Sequence, residues 1–461
     1  MRWFLVAALA VGCGSPETPQ APGSRNESPQ SPPTILDAGV PSPPYPADVT
    51  SLRLRRSIVV RFEPRVDAKQ IGTIEEGTRV SWKRAETGPG CPRWIEIEPR
   101  GWICDKYLEP TSKPPLGEPR PKLAEGEIVP GVYGKVAGSG AVAIKGRSSR
   151  RLAGSVTVRK MADVEQGGRK YWKTSSGELI PASKIILHTP SPFAGVAVES
   201  LPMAWAQSRK DLTAKVAVRE APDAKAKITE KLPPRTVVVP GLDQGAFISI
   251  GDKRWVAGSD LHVARVAEPP DDLDESSPAA AKWIDVDLDE QVAVAYEGRR
   301  PVYATLVASG NPKWPTPAGV YRIWLKFDET DMNGQMGDEQ AYSVATVPWT
   351  MFFARDLAFH AAYWHDRFGE ARSHGCINVS PRDARWLWEW ASPDVPPGWS
   401  MSGGIAERPG SLVKIHSAAT PAPEYRGYAK VVHEARVTRT PVPEAVEPEA
   451  TAAPITDAGV P

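Results

Sequence analysis

The C-terminal third of the chain alternates apolar and polar residues, which is the pattern of strands with one buried face. The alternation begins at Trp283, passes a turn at Glu297-Gly298 and resumes directly after it. Later apolar runs place His360 at the end of a strand. The pattern predicts an antiparallel, β-sandwich-like domain over residues 281–416.

One helix is predicted inside this domain. Ser380 can cap its N-terminus, Pro381 suits the first turn, and Asp383 completes a capping box. Four apolar residues then fall on one helical face: Ala384, Leu387, Trp388 and Ala391. Because that stripe has the helical period, we expect the helix to pack on the sheet.

A weak internal repeat lies upstream of the sheet domain. Residues 58–108 align with residues 216–264, and both segments consist of short β-rich stretches punctuated by Gly and Pro. Such spacing is typical of small β-barrels. It predicts two modules, at 49–112 and 209–266, which resemble bacterial Src-homology-type wall modules.

The segments between and after these domains are predicted to be one further module, two linkers and a tail. A divergent β module is a candidate for 120–200, and Pro-rich or acidic linkers are predicted at 13–48 and 268–280. The tail at 418–461 is predicted to be mostly disordered, with at most a short strand at 425–439. The sequence therefore predicts a mainly β protein, with small barrel modules before a sandwich-like domain that has one or two helices.

Composition narrows the class of partners. The 461 residues include 56 Lys and Arg against 55 Asp and Glu, and 48 prolines. Bulk electrostatic binding to nucleic acid needs a clustered excess of cations, so we expect no nucleic-acid partner. Trp3 to Val11 is the one long apolar run, and it is too short to span a bilayer as a helix.

The first residues have the features of an export signal. Arg2 precedes the short apolar run, and small residues stand before Cys13. The arrangement resembles a bacterial lipoprotein signal over residues 1–12, which implies lipidation of Cys13. The expectation is an exported protein held by a lipid anchor at the cell envelope, on the periplasmic face of a membrane. An ordinary secretory signal is the alternative.

The other three cysteines divide by position. Cys91 and Cys104 flank the arms of a predicted hairpin and could form a disulfide in an oxidising compartment. Cys376 has no such neighbour in the sequence. His360, sixteen residues earlier, could take the proton that a thiol must lose to act as a nucleophile. His365 is a second, weaker candidate for that base.

The segment Ser373-His374-Gly375-Cys376-Ile377-Asn378, with His360 and Thr316-Pro317-Ala318-Gly319 before it, resembles the L,D-transpeptidase catalytic domain of bacterial cell-wall enzymes. The resemblance implies that Cys376 attacks a peptidoglycan stem tetrapeptide, releases D-Ala and passes the acyl group from a thioester to an amine.

The same resemblance implies roles for the neighbours of Cys376. His360 would be the base, the Ala361 carbonyl would orient it, and the Gly375 and Cys376 amides would hold the oxyanion. Ser373, His374 and Asn378 would support the motif. Two departures from the family are a short interval between His360 and Ser373 and Ala361 in place of Gly.

Other interpretations stay open at this level. Cys376 could be a buried structural residue in a catalytically idle wall-binding lipoprotein, or the enzyme could trim stem peptides as an L,D-carboxypeptidase. A zinc site is conceivable from four residues: His360, His365, His374 and Cys376. The resemblance implies no metal and no organic cofactor. Tyr342 and Trp364 are candidates for the lining of a substrate cleft.

Overall fold

The computed structural model describes residues 45–137, 141–277, 281–334 and 342–442. The predicted signal, Cys13 and nearly all of the 13–48 linker lie outside these residues, as does the tail from 443 onward. Within the described ranges the fold is mainly β, with two α-helices, which confirms the predicted fold class. Neither helix is long and apolar enough to cross a membrane.

Module 1, residues 49–112, contains eight short strands. They are β1 (Ser51–Leu54), β2 (Ile58–Arg61), β3 (Gln70–Ile74), β4 (Arg79–Val80), β5 (Trp82–Gly88), β6 (Cys91–Ile97), β7 (Trp102–Cys104) and β8 (Leu108–Thr111). A 3₁₀ turn, Asp105–Tyr107, separates the last two. Alternate apolar residues such as Leu52, Leu54 and Val60 fill its core.

The described part of module 2, residues 120–200, forms a sheet of seven strands. They are β9 (Val132–Val136), β10 (Val142–Lys145), β11 (Ser148–Arg151), β12 (Ser155–Gln166), β13 (Arg169–Thr174), β14 (Leu179–Pro181) and β15 (Ile185–Leu187). Their order across the sheet is β15-β9-β12-β13-β14-β10-β11. Trp172 and Ile180 lie at the centre of its small core. An eighth short strand in this range, β16 (Val196–Ala197), pairs with a strand of the C-terminal domain instead.

Module 3 was predicted at residues 209–266, but its first strand lies just before that range. Its strands are β17 (Met203–Ala206), β18 (Val216–Arg219), β19 (Ile228–Leu232), β20 (Thr236–Val238), β21 (Asp243–Gln244), β22 (Phe247–Ser249), β23 (Trp255–Ala257) and β24 (Leu261–Ala264). A 3₁₀ turn, Gly258–Asp260, again precedes the last strand.

Modules 1 and 3 have the same topology. Module 1 pairs its strands as β4-β1-β8 and β3-β2-β7-β6-β5, and module 3 pairs the corresponding strands as β20-β17-β24 and β19-β18-β23-β22-β21. Both modules also contain an equivalent hydrogen bond from an arginine side chain to a backbone carbonyl. Arg61 donates to the Ala68 carbonyl at 2.9 Å, and Arg219 donates to the Ala226 carbonyl at 2.7 Å.

The predicted barrels are not closed by hydrogen bonds. In the described part of both modules, the three-stranded and five-stranded sheets remain separate ladders. In module 1, β4 has only two residues and Ser81 interrupts the chain before β5, so the ladder cannot continue around that corner. Cys91 and Cys104 form a disulfide in this module, with Cα atoms 5.9 Å apart.

The described residues of the C-terminal domain form ten strands and both helices. They are β25 (Lys282–Asp287), β26 (Val292–Glu297), β27 (Arg300–Leu306), β28 (Gly319–Arg322), β29 (Leu325–Asn333), β30 (Tyr342–Phe352), β31 (Ala358–Ala361), β32 (Ile377–Val379), α1 (Pro381–Trp390), β33 (Trp399–Gly403), β34 (Leu412–His416) and α2 (Gly427–Thr438).

Two sheets of this domain enclose one core. The first has the order β16-β27-β26-β25-β34-β28, and the second has the order β33-β29-β30-β31-β32. Ile284 and Val286 from the first sheet share a buried cluster with Met351 and Phe359 from the second. The domain is therefore a sandwich, as its alternating pattern predicts.

The predicted helix α1 is confirmed. Ser380 caps it by accepting a hydrogen bond from the Asp383 amide, and Ala384, Leu387 and Trp388 are buried. Asp383 does more than complete the capping box. Its carboxylate accepts hydrogen bonds from the Tyr303 and Thr305 hydroxyls, at 2.7 and 2.6 Å, which ties α1 to β27.

The short strand suggested for residues 425–439 is wrong, because this segment forms α2. Ala429, Val432 and Ala435 are its buried residues. Their spacing of three residues places them on one helical face, which packs against β28. The helix ends at Arg439, which has a left-handed φ of 55°.

Two modules are hydrogen-bonded to the second sheet of the C-terminal domain. β3 of module 1 runs antiparallel to β33, with Thr73 opposite Met401. β12 of module 2 runs parallel to β30, with Ser155 opposite Tyr342. Since β30 leads to β31, where His360 lies, module 2 contacts the sheet that carries the candidate site.

Candidate active site

Two neighbouring strands, β31 and β32, position His360 and Cys376. β31 and β32 are parallel, and their register places His360 opposite Asn378. Cys376 directly precedes β32, two residues before Asn378. Adjacent strands lie about 4.8 Å apart, so the fold converts a separation of many residues in sequence into close neighbours in space.

The Cys376 thiol is held in a partly buried position. Its Sγ donates to the backbone carbonyl of Asp356, with a separation of 3.7 Å. Burial raises the pKa of this thiol to about 11, although the Ala358 amide acts in the opposite direction. Burial disfavours the charged form of an acid, so the resting sulfur carries its proton at neutral pH.

His360 is almost completely buried, with 2% of its surface exposed. Its Nδ1 lies 3.4 Å from the Ala361 carbonyl, the backbone group predicted to orient it. When Nδ1 carries the proton toward that carbonyl, Nε2 keeps its lone pair. Burial lowers the pKa of His360 to about 4. The imidazole is therefore neutral at pH 7 and can accept a proton.

The pKa shifts of His360 and Cys376 indicate that both side chains are neutral at pH 7. A preformed thiolate and imidazolium would require a low cysteine pKa and a high histidine pKa, and the burial of both groups acts against each. The arrangement suits transfer of the thiol proton during attack on a substrate. Trp364 covers the imidazole, since its ring stacks on His360 with centroids 5.6 Å apart.

His365, the alternative base, has partners at both ring nitrogens. Its Nδ1 accepts the Arg367 amide at 3.1 Å, and its Nε2 lies 3.0 Å from the Asn378 side-chain amide. Burial and the positive charge of Arg372 lower its pKa to about 3. His365 thus connects Asn378 to the loop before Cys376, and this geometry favours His360 as the base.

A network of hydroxyl groups fixes the turn that ends in Cys376. Ser373 Oγ accepts the Gly375 amide at 3.0 Å and donates to the Cys376 carbonyl. Thr316 Oγ1 donates to the Gly375 carbonyl at 2.7 Å and accepts the Gly310 amide at 2.8 Å. Gly375 has φ +111°, a conformation that L side chains rarely adopt.

The predicted oxyanion donor Gly375 is engaged in this structure. Its amide points to Ser373 Oγ rather than into open space. A substrate oxyanion would therefore have to replace the serine hydroxyl at this amide. A side chain at position 375 would also meet Leu357, whose Cδ2 lies 2.8 Å from an ideal Cβ.

Aromatic rings form a wall beside the sulfur. The exposed His374 ring lies 4.2 Å from the ring of Trp314 and 4.9 Å from that of Tyr342. Burial raises the pKa of Tyr342, and the charge of an ionised Cys376 would raise it further. Tyr342 therefore lies close enough to the sulfur for their charges to interact, and Trp364 lies on the His360 side.

The four residues of the alternative zinc site do not bring three ligand atoms together in the described part of the chain. In the described ranges, only Cys91, Cys104 and Asp105 bring three such ligand atoms within 4.8 Å of one another, and two of them are disulfide-bonded.

Sequence reasoning missed three contributors to the site. It used Thr316 as part of a turn but not as the partner of Gly375, and it assigned nothing to Trp314 or Asp356. Trp314 stands two residues before Thr316, so the turn motif was a usable signal for it. The Asp356 contact is made by a backbone carbonyl, which leaves no signal in residue type.

A protein-family model matches this same region. Residues 281–428 match the YkuD family, the L,D-transpeptidase catalytic domain. The chain is 31% identical over 86 residues to "Probable L,D-transpeptidase 3" of Mycobacterium tuberculosis, covering 17% of this chain and 32% of that protein. It is 25% identical over 121 residues to YciB of Bacillus subtilis, also named as an L,D-transpeptidase. This match covers 23% of this chain and 59% of that protein.

Solved structures match over between about a third and half of this chain. The catalytic domain of the Enterococcus faecium L,D-transpeptidase is 26% identical, with 29% of this chain and 96% of that chain covered and a TM-score of 0.24. The L,D-transpeptidase of Mycobacterium smegmatis is 17% identical, with 50% and 99% covered and a TM-score of 0.25.

The chain spans about a third and about three fifths of the length of the two curated relatives. The family match supports an L,D-transpeptidase catalytic domain and a transpeptidase role for residues 281–428.

Proposed function

We propose that residues 281–428 transfer an acyl group from a peptidoglycan stem tetrapeptide to an amine, with Cys376 as nucleophile and His360 as base. The observation that carries this proposal is the register of β31 and β32, which brings His360 beside the chain that bears Cys376. The match to the L,D-transpeptidase catalytic domain supports the class of reaction.

The first half of the reaction forms a thioester. As Cys376 Sγ attacks the carbonyl that joins the third stem residue to the terminal D-Ala, His360 Nε2 takes the thiol proton. The tetrahedral intermediate collapses, the C–N bond breaks, and the imidazolium gives its proton to the leaving amine. D-Ala departs, and His360 is neutral again, which is the form that its low pKa favours.

The second half returns the enzyme to its starting state. An amine attacks the thioester, His360 accepts a proton from that amine, and the cysteine sulfur leaves and is reprotonated. If water attacks instead, the product is a trimmed tripeptide. The Cys376 and Gly375 amides would stabilise the oxyanion in both halves, with Ser373 releasing the Gly375 amide to it.

The aromatic wall supports a peptide substrate. Tyr342 and His374 on one side of the sulfur and Trp364 on the other offer flat apolar surface with polar edges. We propose that the stem peptide lies between them, and that Ala361 orients the base and Asn378 fixes the loop through His365.

The test is incubation of the full chain with purified stem tetrapeptide muropeptide, followed by mass analysis. We expect D-Ala release that Cys376→Ala and His360→Ala both abolish. His433→Gln in α2 is the matched histidine control and should keep full activity. Release that persists in the Cys376 variant would overturn the assignment. A cross-linked product and a tripeptide distinguish an amine acceptor from water.

We further propose that the protein acts in the cell envelope, exported with a lipid on Cys13, and that modules 1 and 3 contact the wall. The signal-like N-terminus and the family of the C-terminal domain support this location. Mass spectrometry of the mature N-terminus tests it. An unmodified Cys13 would remove the anchor.

A further inference from the structure

The chain between β31 and Cys376 is a long connection that runs beside the candidate site. This connecting segment, residues 362–375, carries Trp364, whose ring stacks on His360, and His365, which contacts the strand after the nucleophile. All of its residues are described, and none lies in a helix or a strand. Contacts from other parts of the molecule must therefore fix its shape.

Arg235 of module 3, between β19 and β20, makes three hydrogen bonds at this segment. Its Nη1 donates to Asp366 Oδ1 at 2.7 Å, and its Nη2 donates to the Asp366 backbone carbonyl at 2.6 Å. Its Nε donates to Gln207 Oε1 at 3.0 Å, and Gln207 Nε2 donates to the Phe368 carbonyl at 2.8 Å. Module 3 thus holds the main chain of the segment at two carbonyls, with a charge-assisted contact at the first.

The same part of the segment packs closely against module 3. Gly369 has φ +98°, and an ideal Cβ there would lie 2.3 Å from Gln207 Nε2 and 3.0 Å from His262 Nε2. The guanidinium of Arg235 lies over the ring of Phe193, 4.8 Å from its centroid. Packing and hydrogen bonds therefore both determine where this guanidinium lies.

The backbone of Arg235 has a left-handed φ of 65°, a conformation that favours glycine. The equivalent turn of module 1 does contain glycine, because Gly77 has φ 82° at this position. The Gly77 amide donates to the Leu54 carbonyl at 2.9 Å, as the Arg235 amide donates to the Ala206 carbonyl at 2.8 Å. The turn itself needs no arginine. In module 3, a strained residue accompanies a side chain that reaches the connecting segment.

We propose that Arg235 is a positioning residue for the reaction at Cys376. It acts through Asp366 and keeps the connecting segment in the shape that places Trp364 over the base. Loss of this contact should slow the chemical step more than it weakens substrate binding, because small displacements of reacting groups lower the rate. The inference rests on the proposed function. Since Arg235 lies outside residues 281–428, module 3 becomes part of the catalytic unit.

Arg235→Gly in the full chain tests the proposal, because glycine suits the left-handed backbone and removes the side chain without adding strain. With purified stem tetrapeptide muropeptide, we expect kcat for D-Ala release to fall about tenfold or more, while KM changes by less than about threefold. Hydrogen exchange read by mass spectrometry should be faster in peptides covering 362–375. Unchanged exchange in β22 and β23 shows that module 3 stays folded.

Lys253→Gly is the matched control. Lys253 is an exposed residue in the turn between β22 and β23, and it also has a left-handed φ, of 50°. Its variant relieves the same kind of strain in the same module, and it should match the parent in kcat and in exchange. Asp366→Asn completes a double-mutant cycle. If Arg235 acts through Asp366, the double variant should have a kcat no lower than that of Arg235→Gly.

The outcomes separate this inference from the proposed function. D-Ala release that is absent from the parent, or that persists in Cys376→Ala, would refute the proposed function itself. An active parent with an unchanged kcat in Arg235→Gly would overturn the role of Arg235 alone. Unchanged exchange in 362–375, an equal loss of kcat in Lys253→Gly, or additive losses in the cycle would overturn it as well.

Discussion

Arg159 of module 2 and Glu329 of the C-terminal domain form an ion pair of 2.6 Å, with 20% and 17% of their side chains exposed. Arg159 lies on β12, and the first residue of that strand, Ser155, pairs with Tyr342 of β30. Close by, the Tyr133 ring of module 2 stacks on Tyr363 with centroids 3.9 Å apart. Module 2 therefore supports the strand that carries one wall of the candidate cleft.

Removing one member of this pair should be worse than removing both. Glu329 is in a site where burial already raises its pKa and Arg159 opposes that effect. Arg159→Met leaves the carboxylate without its partner, and we expect the full chain to lose about 1–3 kcal/mol in urea denaturation. The double variant Arg159→Met, Glu329→Gln should recover most of that loss. A double variant no more stable than Arg159→Met would contradict a coupled pair.

The Thr316 hydroxyl should matter for the reaction more than for substrate binding. It joins the Gly310 amide to the Gly375 carbonyl, directly beside the nucleophile. In Thr316→Val both bonds are lost, so the turn before Cys376 loosens, and we expect kcat to fall about tenfold or more while KM changes little. Thr316→Ser keeps the hydroxyl and should restore most of kcat. Equal activity of the Val and Ser variants would contradict this role.

The pH dependence of acylation should reflect a neutral histidine. The pKa of His360 is lowered to about 4 because burial disfavours the imidazolium. The base form therefore exists at every pH above about 4, and protonation removes it below that value. We expect the rate of acylation by a carbapenem to stay level from pH 7 to about 5 and to fall near pH 4. A fall centred near 6.5 would indicate an exposed, unperturbed imidazole instead.

The basal reactivity of the thiol gives an independent check on the same pair. Burial raises the pKa of Cys376 to about 11, so the thiolate is scarce at pH 7 to 9. Alkylation of Cys376 by iodoacetamide should be slow at pH 7 to 9, and its rate should increase with pH. Rapid alkylation at pH 6 would indicate a preformed thiolate and would contradict proton transfer during attack.

The sequence predicts those features of the fold that depend on residues close together in the chain. The cap at Ser380 and the stripe that includes Leu387 locate α1, because both depend on neighbours within a few residues. The contact of Arg159 with Glu329 spans 170 residues, and the pairing of Thr73 with Met401 joins distant strands, so no local pattern encodes either. The helix α2 was missed because a stripe of only three buried residues gives a weak period.

The same distinction applies to the candidate site: its residue types are predictable from the sequence, and its pKa shifts are not. A short motif identifies Cys376, Gly375 and Asn378, since their residue types are required close together in sequence. The burial that raises the pKa of Cys376 and lowers that of His360 arises from packing of the two sheets and could not be read from composition.

His262 should make the fold sensitive to acid. This residue of β24 has no exposed surface, and its Nδ1 lies 2.6 Å from the Glu290 carbonyl. Burial lowers its pKa to about 4. Below the unfolded value of about 6.5, the unfolded chain binds a proton that the folded chain does not, so stability falls as pH decreases toward 4.

His262→Gln removes this titration and isolates its contribution. The stability of the parent relative to His262→Gln should be constant above pH 7 and should decrease by about 1.4 kcal/mol per pH unit between about 6.5 and 4. Urea denaturation at several pH values measures the difference, which cancels the carboxylates common to both proteins. His433→Gln is the matched control: because it keeps His262, it should retain the decrease in stability between about pH 6.5 and pH 4 that His262→Gln removes. A parent and a His262 variant with parallel curves would show that His262 becomes protonated in the folded protein, and the buried, neutral imidazole would then have to be abandoned.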